Sequence, residues 1–357
     1  TADIKEAKSA KVCVIFAGLT DEYESEGFDR ENMRLPEEQD RAVQEIASAG
    51  PNTVVVLMSG SPVECPWADA VSAILYVGLS GEAVGEAVCD LLFGDAAPCG
   101  KLAESWPYRY EDAVTSGYYA HGRKDAHYRE GIYAGYRYYQ KAKVPVRWPF
   151  GYGLSYSRFE YSGLEISESA VTCTVTNAGP CAGKEIAQLY ISLPEDRTYR
   201  PERELKGFAK ISLEPGESRT VRFELNCRSF AIWDGGWTVP GGKYTIQIGA
   251  SSEDIRLSGT VEKAETRALA NGADAETAFP AHGEKNLPEW YISPQGAPSH
   301  EDFEALLGRK IEGKPLKKGG FTMENTVMEL KEYSLLMKLI YKGMERVVAR
   351  SLGGRKK

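Results

Sequence analysis

The chain has 357 residues, with 43 Lys+Arg against 51 Asp+Glu and a formal net charge of −8. That length suits two or three domains, and 42% apolar with 26% charged residues excludes a disordered or fibrous chain. No stretch approaches the ~20 apolar residues that a membrane span needs, and the acidic balance argues against nucleic acid as a partner.

The opening TADIKEAKSAKVCVIFAG sets its charges before a short strand-like run, not in the order of a secretory leader. Seven cysteines (Cys13, Cys65, Cys89, Cys99, Cys173, Cys181 and Cys227) include no CxxC pair, which removes zinc and thioredoxin-like readings. Free thiols in apolar runs fit a reducing, cytoplasmic compartment. The charge is uneven. From Gly308 onward there are 13 Lys+Arg and 5 Asp+Glu, a net of +8, so the remainder carries −16. A basic tail on an acidic body suits docking on the same protein.

In chain order, Lys11–Ala17, Thr53–Met58 and Ala73–Val77 are continuous apolar runs, the pattern of strands covered on both faces in a parallel sheet. Between them, Pro36–Ala49 opens with Pro and sets Val43, Ile46 and Ala47 on one side, while Gly81–Phe93 stops at Gly94. Strand and helix in alternation predict a doubly wound α/β layer. Asp95–Tyr161 is dense in Gly, Pro and Tyr and reads as long ordered loops with a few short elements. From Gly163 to Val261, alternating β-branched runs broken by Gly, Pro and Asn predict some seven strands in an immunoglobulin- or fibronectin type III-like sandwich. Lys263–Gly283 has the composition of a linker. Trp290, Tyr291, Phe303 and Leu306 are scattered anchors, and Thr326–Val348 reads as an amphipathic helix. The expected division is therefore 1–161 α/β, 162–262 β-sandwich, and 263–357 linker and partly helical extension.

Chemistry points first to Gly18–Gln39, a loop that follows the first strand, on the side where ligands enter doubly wound sheets. It gathers Asp21, Glu22, Glu24, Glu26, Asp29 and Glu31, with Arg30 among them. Crowded carboxyls raise one another's pKa, as a general acid requires, yet acidic loops are also often only solvated. The spacing does not fit a calcium loop of the EF-hand kind. No GxGxxG or GxxxxGK[ST] follows a strand, so no nucleotide cofactor is expected. SGSP at Ser59–Pro62 is not a GxSxG elbow. His121, His127, His282 and His300 are dispersed without HExxH, so no metal site is expected. Tyr133, Tyr136, Tyr138, Tyr139, Trp148, Phe150, Tyr152 and Tyr156 concentrate aromatic rings that suit either sugar stacking or a packed seam between domains.

The blocks ESEGFDRENMRLPEEQ, SGSPVE, GEAVGEAVCDLLFGDAAPCGKLAESWP, REGIYAGYRYY and WPFGYGLSYSRFEYS occur in one order. Together they resemble the C-terminal half of glycoside hydrolase family 3, the β-glucosidases and their relatives. TVTNAGPCAGKEIAQLYIS, ELKGFAKISLEPGES and GGKYTIQIGASSEDI are similar to that family's fibronectin type III-like domain. The resemblance runs over roughly residues 5–260; LPEWY and DFEALLGR in the tail are similar to extensions in some bacterial members.

The resemblance implies a retaining β-glycosidase acting on a carbohydrate such as a β-glucoside. Two carboxyls ~5–5.5 Å apart would serve as nucleophile and acid/base. The EGFDR stretch matches the acid/base, implying Glu26 with Glu24 as the fallback, and Asp29 and Arg30 as supports of the loop. The family's nucleophilic Asp lies on a (β/α)₈ barrel, and no SDW-type segment for it is found in this sequence. The chain is therefore expected to be a fragment or one half of a split enzyme, nearly inactive alone. Its open sheet edge would favour association between copies. The rival expectation is a non-catalytic scaffold that binds carbohydrate or protein.

Overall fold

The structure, a computed structural model, describes residues 4–25, 30, 32–50, 52–117, 128–193, 200–233, 236–267, 299–308, 310 and 335–351. It falls into two units, Thr1–Ser299 and His300–Lys357.

The first unit opens with α1 (Ile4–Ser9), β1 (Val12–Gly18), α2 (Glu37–Ser48), β2 (Asn52–Met58), β3 (Ala73–Tyr76) and α3 (Val84–Phe93). The strands form one parallel sheet in the order β1-β2-β3, with Ile15 level with Val55 and Val55 level with Ile74. Pro36 stands at the N-cap of α2, and Glu37, Glu38 and Asp40 complement the helix dipole in its first turn. Val43 and Ile46 are buried, and Val43 packs in one cluster with Ala17, Val55 and Leu57. α3 ends as expected at Gly94, whose φ of 84° is the left-handed C-cap conformation.

One expectation fails. β1 is covered on one face only: Val12, Val14 and Phe16 are 54%, 41% and 61% exposed, and β1 is an edge strand among the described residues. An apolar run shows that a strand can be buried on both sides; it does not show that a second layer is there. Helix α1, only six residues long, carries too little periodicity to be legible.

The stretch read as ordered loops holds β4 (Trp106–Pro107), a 3₁₀ turn at Tyr110–Asp112, α4 (Tyr136–Ala142) and β5 (Val146–Trp148). Four of its tyrosines, Tyr133, Tyr136, Tyr138 and Tyr139, are buried. Tyr136 stacks on Phe150 at 4.9 Å and meets Tyr190 edge-on at 6.1 Å. This part of the aromatic concentration is packed structure.

The β-sandwich follows: β6 (Phe159–Ile166), β7 (Ala170–Asn177), β8 (Gly183–Ser192), β9 (Glu204–Leu213), β10 (Ser218–Glu224), β13 (Gly242–Gly249) and β14 (Ile255–Lys263). Sheets β10-β7-β6 and β14-β13-β8-β9 enclose a core that includes Val171, Cys173, Val175, Leu189, Ile191, Val221, Tyr244, Ile246 and Ile248. Burying each large apolar side chain contributes roughly 1.5–3 kcal/mol. The short α5 (Cys227–Phe230), β11 (Ile232–Trp233), β12 (Trp237–Val239) and β15 (Thr266–Arg267) lie beside it in sequence. Cys173 and Cys227 are both free thiols.

Hydrogen bonds and an ion pair also tie the α/β part to the sandwich. Gln188 Nε2 donates to the carbonyls of Gly151 and Ala250 at 3.1 and 2.8 Å, while its Oε1 accepts from the Tyr190 hydroxyl at 2.6 Å. Lys101 Nζ lies 3.0 Å from Glu185 and donates to the Gly153 carbonyl at 2.8 Å.

The second unit contains α6 (His300–Leu307), closed by Gly308 at φ 66°, and α7 (Leu335–Ser351). The amphipathic helix expected over Thr326–Val348 thus runs on to Ser351. Residues 326–334, like Trp290 and Tyr291, lie outside the described residues. Ile340 and Met344 of α7 are exposed. No helix among the described residues is long and apolar enough to cross a membrane.

Candidate active site

The acidic loop leaves the sheet at Gly18, where the chain must pass against β2. A Cβ at Gly18 would stand 2.1 Å from the Met58 carbonyl oxygen, so only glycine fits. Leu19 N–H then donates to Met58 O at 3.0 Å, prolonging the ladder by one residue. A tight turn follows, with Tyr23 and Glu24 N–H both donating to Thr20 O.

Beyond the turn the loop is fastened to SGSP. Glu24 Oε2 accepts from Gly60 N–H at 2.7 Å, and Oε1 accepts from Ser61 Oγ at 2.9 Å. Arg30 Nη2 donates to the Pro62 carbonyl at 3.0 Å. Both anchors fall on one tetrapeptide, which is itself braced: Ser59 Oγ donates to Ser61 O at 2.9 Å, and the Tyr76 hydroxyl donates to Ser59 O at 2.8 Å. Burial, reinforced by the charges of Glu104 and Glu24, raises the Tyr76 phenol above its ordinary pKa, which keeps it a donor. The Tyr76 ring meets Trp106 edge-on at 4.9 Å, and Trp106 meets Trp148 at 5.4 Å.

These elements rim a cleft of about 350 Å³ lined by Tyr23, Glu24, Arg30, Asn32, Ser61 and Tyr110, among others. Its far wall is tied in as well. Tyr110 N–H donates to Glu64 Oε1 at 2.9 Å, and Glu64 N–H donates to Met33 O at 2.7 Å. Beneath the loop's return, Trp67 Nε1 donates to Asp40 Oδ1 at 2.8 Å, and burial lifts the Asp40 carboxyl above the usual carboxylate range despite that bond.

Of the residues singled out by sequence, Glu26, Asp29 and Glu31 lie outside the described residues. Glu24 and Arg30 are brought to one cleft. Asp21 and Glu22 are exposed on the turn. His121, His127 and His282 lie outside the described residues, and His300 opens α6. Among the described residues no three His, Cys, Asp or Glu side chains gather into a metal-binding group. The role of SGSP as the loop's landing site escaped sequence reasoning. Its one signal was its position after a buried strand.

Residues 1–156 match the model of the glycosyl hydrolase family 3 C-terminal domain, and residues 185–252 match that of the fibronectin type III-like domain. Over residues 1–156 the chain is a glycosyl hydrolase family 3 C-terminal domain. Among family 3 relatives, the thermostable beta-glucosidase B of Acetivibrio thermocellus is 44% identical over 268 residues, covering 72% of this chain and 36% of that protein. An exo-alpha-(1->6)-L-arabinopyranosidase of Bifidobacterium longum is 38% identical over 303 residues, covering 82% and 39%. The beta-glucosidase from Kluyveromyces marxianus, solved in complex with glucose, superposes with a TM-score of 0.69 at 37% identity, covering 74% of this chain and 33% of that one. The chain thus spans 36% and 39% of the two curated relatives it matches here. The acidic loop and SGSP both fall within the matched domain.

Proposed function

We propose that this chain supplies the general acid/base carboxyl of a retaining glycosidase, with Glu26 in that role and the nucleophilic Asp carried by a (β/α)₈ barrel. The observation that supports this reading most is the fastening of Glu24 and Arg30, which flank residue 26 in the sequence, to SGSP at the rim of one cleft. Glu26 follows Glu24 by two residues and lies within the matched family 3 domain.

In the mechanism, Glu26 protonates the departing glycosidic oxygen while the Asp attacks the anomeric carbon. It then takes a proton from the water that hydrolyses the covalent intermediate. The substrate class is a terminal glycoside with an equatorial leaving group. The beta-glucosidase and alpha-L-arabinopyranosidase relatives share that geometry, because an α-L-arabinopyranoside has the anomeric arrangement of a β-D-hexopyranoside.

In the complete natural gene product, Glu26→Ala lowers kcat on a poor leaving group by about 10²–10⁴-fold. Azide restores turnover on an activated aryl glycoside and yields the glycosyl azide of retained configuration. Undiminished turnover by Glu26→Ala would overturn the assignment and favour a non-catalytic scaffold.

A further inference from the structure

We infer that Glu24 is the positioning residue of this site: it fastens the chain to SGSP two residues before Glu26 and transfers no proton itself. The inference rests on the glycosidase reading above. Both Glu24 oxygens are engaged, one by the Gly60 N–H and one by Ser61 Oγ. Those two bonds hold the carboxylate against SGSP.

Geometry makes the contact demanding. A Cβ on Gly60 would lie 3.1 Å from Glu24 Oε1 and 2.7 Å from Leu79 Cδ1, so the carboxylate sits against bare backbone. Glu24 and Arg30 land on Gly60, Ser61 and Pro62, three consecutive residues. Glu24 and Arg30 are therefore both fixed relative to the end of β2. Residue 26 is two positions beyond Glu24, so their Cα atoms are at most ~7 Å apart. Freeing the near anchor loosens the chain two residues before the acid, and a displacement of about 1 Å at a reacting group can cost about 10²-fold.

The test uses the complete gene product with Glu24→Gln, Ser61→Ala, the double variant and Glu26→Ala. Glu24→Gln keeps the side-chain size but sets an amide NH₂ against one of the two donors. On an aryl glycoside with a poor leaving group it lowers kcat ~10- to 100-fold with KM nearly unchanged. An activated leaving group, which needs no acid, recovers most of that loss, whereas azide gives no rescue. Ser61→Ala, which removes one tie and no charge, loses less activity in the same pattern. The double variant is no worse than Glu24→Gln alone, because both changes break one fastening. Thermal midpoints of the variants separate this from unfolding, and Ser61→Ala carries the test if Glu24→Gln does not fold. Wild-type kcat in Glu24→Gln overturns the positioning role and leaves Glu26 untouched. Azide rescue of Glu24→Gln makes Glu24 the acid/base and overturns both assignments. Undiminished activity of Glu26→Ala overturns only the reading beneath.

Discussion

The side-chain amide of Gln39, on α2, grips both polar backbone groups of Gly18: Oε1 accepts from Gly18 N–H at 2.8 Å, and Nε2 donates to the Gly18 carbonyl at 3.0 Å. The amide acts as one residue of a neighbouring strand, closing the end of β1 where the acidic loop departs. Gly18→Ala drives a methyl into the Met58 carbonyl and costs ~1–3 kcal/mol. Gln39→Leu leaves two half-buried backbone groups unpaired, at ~1–3 kcal/mol. Denaturant midpoints measure both. A Gly18→Ala protein as stable as wild type would show that this passage is not tight.

Across the seam, Gly151 adopts φ 80° and a Cβ there would lie 2.1 Å from Gln188 Oε1. Gly151→Ala therefore strains its own backbone and pushes Gln188 off its partners. Gln188→Ala strips two carbonyls and the Tyr190 hydroxyl of one shared partner. Each single change is expected to cost at least ~1–3 kcal/mol. The double variant should cost clearly less than the sum, since the clash is gone when Gln188 is gone. Additive losses in equilibrium unfolding would contradict this.

The Lys101–Glu185 pair is buried on both sides, and Glu185 Oε1 also accepts from Ile186 N–H. Lys101→Met strands a buried carboxylate and should destabilise by ~3–5 kcal/mol. Adding Glu185→Leu should return much of that loss, because the desolvated charge disappears with its partner. The comparison of single and double variants in urea decides it.

Cysteine reactivity gives a pH-dependent prediction. Burial pushes the Cys65 thiol up to about 12 and Cys173 up to about 11, so neither is a thiolate at neutral pH. Cys89 and Cys227 are exposed. Alkylation of the native chain should therefore modify Cys89 and Cys227 first, with Cys65 and Cys173 staying unreacted between pH 7 and pH 9 by peptide mapping.

Asp40 gives the matching acid-side prediction. Its carboxyl pKa is raised by burial, so its contribution to stability is full below the unfolded value and is lost as pH rises through the folded value. Asp40→Asn removes that dependence and keeps an acceptor for Trp67. Relative to wild type, the variant should gain in thermal midpoint on going from acid to neutral pH; a gain in the opposite direction would contradict the assignment.

What could be read in advance follows from which atoms carry the information. Val43 and Ile46 on α2, Gly94 after α3 and the β-branched runs of β7, β8, β10 and β13 announce themselves, because side-chain type alone sets their periodicity and punctuation. The single-sided cover of β1 could not be read, since VCVIFAG is apolar on both faces whichever is packed. The fastening of the loop was hidden for another reason. Gly60 N–H and the carbonyls of Ser59 and Pro62 do much of the holding, and backbone atoms look alike in every sequence. Glu24 and Glu26 are likewise two carboxyls in one polar run, told apart in the sequence only by motif likeness.

On β1, the oily strip of Val12, Val14 and Phe16 coincides with an edge that no strand among the described residues pairs, up to Gly18, where Gln39 closes it. Anything that lies against this strand receives directional main-chain bonding together with the gain from drying its side chains. Concentrated samples should therefore be sticky along this margin before any other, and a hydrophilic swap at Val14 should do more for shelf life than tightening the sandwich interior.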